Sequence, residues 1–122
     1  MKAIIANTSG NIAEVEFETD SEYKLLSGTV GGYIEAVRLM PGLTMWVNEN
    51  GIAEGLPLNY LGSLAYYVAF QSKTPIVGNV IFTGGCDDEG ETLDIDELGH
   101  EWFAKLELLF LMMGGNPENE SE

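Results

Sequence analysis

Lys2 to Ala6 is a short apolar run that stops at Asn7-Thr8-Ser9-Gly10-Asn11, a cluster of turn formers. It predicts a first strand and a tight return. Ile12 to Glu18 then alternates, with Ala13, Val15 and Phe17 on one side and Glu14, Glu16 and Glu18 on the other. A period of two predicts a half-buried antiparallel strand with a row of carboxylates on its wet face. From Thr19 the period lengthens. Thr19-Asp20-Ser21-Glu22 has capping-box spacing, with Thr19 as N-cap, and Tyr23, Leu26 and Val30 share one side of the short helix that follows.

Gly31-Gly32 ends that helix, and Tyr33 to Leu39 reads as a strand. Pro41-Gly42 suits a type II turn, with Gly42 at the position that needs positive φ. Leu43 to Asn48 is the partner strand, with Met45 and Val47 on one face and Trp46 on the other. Asn50-Gly51 is a hairpin signal leading to a short strand from Ile52. Pro57 makes Gly55 to Asn59 a loop. Asn59 caps a second helix, Tyr60 to about Gln71, with Leu61, Leu64, Ala65 and Val68 as its apolar stripe.

Ile76 to Thr83 is strongly β, with Gly78 as a bulge or point of close approach. Gly84 to Thr92 is a loop. Asp94 begins a long helix, with Glu97 in the capping-box position, that runs to about Met113 and stops at Gly114-Gly115. Residues 116–122 form a polar, acidic tail expected to be disordered. No internal repeat is visible. The sum is a single α+β domain over residues 1–115: an antiparallel sheet with two short helices and a long apolar C-terminal helix.

That last helix places Leu98, Trp102, Leu106, Leu109 and Met113 on one side. Phe103, Leu108, Phe110, Leu111 and Met112 extend the apolar surface nearly all round. A helix apolar on every side needs cover on every side. Two readings stay open: a central core helix, or an oligomer or partner contact made by Trp102, Phe103, Leu106, Leu109, Phe110 and Met113.

Charge is the strongest global signal. The chain has 122 residues, 45% of them hydrophobic, with 20 acidic and five basic residues and a formal net charge of −15. The apolar share supports a true core. The charge repels nucleic acid and anionic membranes at long range, which excludes a conventional nucleic-acid binder. It suits a basic protein surface, or serves solubility alone. The N-terminal apolar run is too short for a signal peptide. Cys86 is a lone cysteine, so no internal disulfide forms and a reducing cytoplasm is the simplest setting.

Carboxylates crowd one segment: Asp87, Asp88, Glu89, Glu91, Asp94, Asp96, Glu97 and Glu101. Oxygen clusters attract Ca²⁺ and Mg²⁺, yet the spacing around Gly90 does not fit an EF-hand register, so no metal is expected. Acids at a helix start also complement the helix dipole. Cys86 and His100 lack the partners a catalytic pair requires, and no complete catalytic constellation is present. Neither Gly-Gly pair fits a phosphate cradle. Gly31-Gly32 stands in helix–strand order, and Gly84-Gly85 leads into acid. No cofactor is expected. The few cations offer one alternative, an anionic ligand held by Arg38 with Lys24 or Lys73 and Trp46 beside them. Trp46 reads either as an exposed anchor or as part of a strand buried on both faces.

Four segments carry a resemblance: Val30-Gly31-Gly32-Tyr33-Ile34-Glu35, Asn48-Glu49-Asn50-Gly51, Gly55-Leu56-Pro57-Leu58-Asn59 and Ile76-Val77-Gly78-Asn79-Val80. Together they make residues 1 to 92 resemble a small family of unknown function found largely in phages and mobile elements. The resemblance implies an accessory protein of the bacterial cytoplasm and carries over no catalytic residue. The resulting expectation is a non-enzymatic protein that binds a basic host protein through Glu14, Glu16, Glu18 and the 87–101 acids, as a DNA mimic or anti-defence inhibitor. It would also self-associate through the last helix. The alternative is an oligomeric sponge for a nucleotide-type signal.

Overall fold

The computed structural model describes residues 2–114. The expected tail over residues 116–122 lies outside the described residues.

Five strands form: β1 (Lys2–Ala6), β2 (Ile12–Glu16), β3 (Ile34–Met40), β4 (Leu43–Asn48) and β5 (Val80–Thr83). Three α-helices accompany them among the described residues: α1 (Glu22–Val30), α2 (Tyr60–Phe70) and α3 (Glu97–Met112). The sheet order is β2-β1-β5-β4-β3, and every neighbouring pair is antiparallel. The fold is therefore α+β. β5, late in the chain, inserts between two hairpins and joins them into one sheet. All four of its residues are buried, as a central strand covered on both faces requires.

The pleat sends alternate residues of β4 and β5 to opposite sides. Leu43, Met45, Val47, Val80 and Phe82 meet Leu61, Ala65, Phe103, Leu106 and Phe110 of α2 and α3. Ile81 and Ala3 meet Leu26 and Val30 of α1 on the other face, where Trp46 packs half-buried. Each fully buried Leu, Phe or Met contributes about 1.5–3 kcal/mol. The rings of Phe82 and Phe103 meet edge to face at 4.9 Å, which adds geometric preference to area.

Several local expectations are corrected, some by partners distant in sequence and some by side chains close by. α1 begins two residues later than a capping box at Thr19 predicts. Thr19–Ser21 is a 3-10 turn, and no side chain caps α1. The Glu22 carboxylate instead accepts a hydrogen bond from Thr92 Oγ1 at 2.6 Å. Tyr23 is exposed, and Leu26 and Val30 alone of the expected stripe are buried. Gly42 does not have positive φ. It is needed because a Cβ there would lie 2.6 Å from the Asp96 carboxylate.

Ile52 starts no strand and is exposed. The Asn48 side chain folds this segment into turns, accepting from Asn50 N and donating to Glu54 Oε1 and Val30 O. The strand expected from Ile76 begins only at Val80. Gly78 has φ of 81°, and its carbonyl accepts from the Asn59 side chain rather than from a strand. α3 is capped by Asp96, which accepts from Gly99 N, while Asp94 accepts from the backbone N of Lys2.

Two glycines in α1 and at its end behave differently. Gly31 caps the helix with φ of 83°, as expected of a C-terminal glycine. Gly28 lies inside the helix with nothing within 4 Å of a Cβ and no positive φ. Gly28→Ala should therefore raise stability by about 0.5–1 kcal/mol, read as a higher urea midpoint at unchanged slope.

Candidate functional site

Residues 84–93 form a short ribbon rather than a slack loop. Gly84 N donates to Leu93 O, and Leu93 N donates to Gly85 O. At its tip the Asp87 carboxylate accepts from the backbone N of Glu89 and of Glu91, both at 2.9 Å. Asp87 is thereby used to hold the turn. Asp88, Glu89 and Glu91 project from it and are exposed. Asp94, Asp96, Glu97 and Glu101 are exposed as well, with Asp94 and Asp96 engaged by backbone N–H groups.

The sheet brings distant acids toward this segment. Glu14 pairs with Ile4 across β1 and β2, on the sheet face that carries α2 and α3. Two clefts of about 220 and 280 Å³ run along the seam between β2, β1 and α3. Glu14, Asp94, Lys2 and His100 line the first, and Glu14, His100 and Glu107 line the second. The β2 row is divided, however. Glu16 and Glu18 line a different cleft together with Lys24. Glu107 was missed in the sequence, although its spacing of seven from His100 puts both on one helix face. Among the described residues no group of three or more His, Cys, Asp or Glu is placed to hold a metal ion.

The cation set disperses. Lys24 faces Glu16 and Glu18, while Arg38 is exposed on β3 opposite Thr44. Trp46 donates from Nε1 to Thr83 Oγ1 at 2.8 Å and packs against the α1 face. Cys86 is exposed.

On α3 the buried line is Gly99, Phe103, Leu106 and Phe110, which differs from the stripe expected at Leu98, Leu109 and Met113. The Phe103 ring packs against Phe82, and Phe110 enters the same core, which sets the helix rotation. Phe103, Leu106 and Phe110 are therefore core residues, and Trp102 is half-buried. Leu109 is 38% exposed and Met113 67% exposed.

No α-helix among the described residues is long and apolar enough to cross a membrane. Neither the curated proteins nor the solved structures include a match to this chain. The family comparison does match: residues 1–107 correspond to DUF3846, a domain of unknown function, so the chain belongs to the DUF3846 family.

Proposed function

We propose that this domain is a non-enzymatic binding module whose acidic face engages a basic surface of another protein. The observation that carries the reading is the convergence at the β2–β1–α3 seam. There Glu14, from the second strand, lines one cleft with Asp94, at the approach to α3. Acids from two distant segments thus line one cleft, with Lys2 beside them, and a chain of net charge −15 adds a long-range negative field.

The resemblance to phage and mobile-element proteins extends the proposal to a bacterial host. There the module would act in the cytoplasm as an accessory protein, covering a basic site that otherwise holds DNA or blocking a defence protein. The nucleotide sponge gains no support from geometry, since Lys24 shares its cleft with Glu16 and Glu18, whose charge repels an anion.

The test is affinity capture from bacterial lysate with the native chain and with a Glu14→Gln/Glu89→Gln/Glu91→Gln/Glu101→Gln variant. None of these side chains holds a helix cap or turn. The expected partner is released by duplex DNA and by salt, because screening shortens from about 10 Å at 0.1 M to about 3 Å at 1 M. The variant should retain at least about 10-fold less of it. A partner held equally by the variant and unaffected by salt or DNA would sink the proposal.

A further inference from the structure

We infer that the exposed apolar end of α3 is an anchor that seats in a groove of another protein, one with an apolar floor and a basic rim. The inference rests on the basic-partner reading above and names the part of the surface that supplies hydrophobic contact. Leu108, Leu111, Met112 and Met113 are 59%, 54%, 75% and 67% exposed. The same turns already place Leu106 and Phe110 in the core, so rotating the helix to hide the others would expose those. A contiguous apolar patch of this kind marks a contact surface, and methionines adapt to irregular grooves.

Charge selects the occupant. The helix that carries the patch has three acids, Glu97, Glu101 and Glu107, against one lysine, Lys105, which stands on the patch side three residues before Leu108, and the sequence that follows it has Glu118, Glu120 and Glu122. That following segment, Gly115 to Glu122, offers no large apolar side chain to cover the patch. A second copy would bring another net charge of −15 against the first, whereas a basic rim turns the same charges into attraction.

The experiment uses the full chain and a Leu108→Gln/Leu111→Gln/Met112→Gln variant, all at exposed positions and all to a good helix former. Three probes are titrated: a helical Leu/Lys peptide with one apolar and one cationic face, a scrambled peptide of the same composition, and oligolysine. The native chain should prefer the amphipathic peptide over the scrambled one by about 10-fold or more. The variant should lose that preference and keep its affinity for oligolysine. Lack of preference in the native chain, or its survival in the variant, overturns the inference. So does a dimer in light scattering that the variant abolishes, which would make a second copy the occupant. Binding of the native chain, but not the variant, to phosphatidylcholine vesicles would likewise overturn it in favour of lipid. Failure of the acidic-face reading shows separately, as oligolysine affinity unchanged by the four Glu→Gln substitutions.

Discussion

Replacing Asn59 with Ala should lower the unfolding free energy by about 3–5 kcal/mol. The residue is fully buried, and its side chain makes three hydrogen bonds to backbone groups of three segments. Oδ1 accepts from Gly62 N at 2.8 Å and caps α2, while Nδ2 donates to Ala6 O at 3.0 Å and Gly78 O at 2.9 Å. Alanine leaves one buried N–H and two carbonyls without this partner. Each such group costs about 1–3 kcal/mol when water cannot replace the bond. A domain of this size has roughly 5–15 kcal/mol in total, so the variant should show a large fall in urea midpoint at unchanged slope. Asn59→Ser separates the contributions. A hydroxyl can still cap α2 but cannot reach both carbonyls, so it should fall between native and Ala. Equal losses for Ser and Ala would mean that the cap contributes little.

The same residue shows what could be read in advance. Asn59 before an apolar helical stripe announces a cap, and α2 runs Tyr60–Phe70 as that signal implies. β1, β4 and the Gly31 stop were legible for similar reasons, because neighbours in sequence decide them. The two tethers from Asn59 to Ala6 and Gly78 were not legible, since nothing local specifies them. Nor was the rotation of α3. Its sequence is apolar on too many sides for periodicity to choose a face, and the fit of Phe103 against Phe82 chooses it. In the candidate site, the exposed acids of the ribbon were legible as a cluster. The meeting of Asp94 with Glu14 at one cleft depends on β5 inserting between β1 and β4, a long-range pairing with no local signal.

The four motif segments acquire a physical meaning from their contacts. A Cβ on Gly32 would lie 3.0 Å from Asn48 Nδ2, one on Gly51 2.8 Å from Val77, and one on Gly78 2.8 Å from Leu56. Asn59 N donates to Ile76 O, and Gly78 N donates to Pro57 O. Each motif thus closes against another. Three of the four also share a cleft of about 280 Å³, with Glu35, Asn48, Gly51 and Val77 on its walls. These contacts make the segments a scaffold that holds β4, α2 and β5 in register. A scaffold role gives these segments a physical reason for their sequence without assigning them reactive chemistry.

The second glycine pair supplies the other large prediction. Gly84→Ala should cost at least about 3 kcal/mol, more than ordinary overpacking of a core. A Cβ there would lie 2.5 Å from Leu93 O and closer still to Asp94 O, both backbone atoms that no side-chain rotation can move. Gly84 N also donates to Leu93 O at 2.9 Å, so the ribbon would have to open to admit a methyl group. Opening it shifts Asp94 from Lys2 N and Thr92 from Glu22, the two ties that dock the acidic segment on β1 and α1. Gly90→Ala is the matched control. It has φ of 82° but open space around a Cβ, so only the left-handed backbone is penalised, at about 1–2 kcal/mol. Urea midpoints of both variants decide the matter, with amide exchange at Leu93 reporting the ribbon directly. Steric closure predicts the larger loss at Gly84 and fast exchange at Leu93. A smaller loss at Gly84 than at Gly90 would mean that conformation, and not close approach, governs this turn. The ribbon would then not depend on the tight contact for its hold on the acidic face.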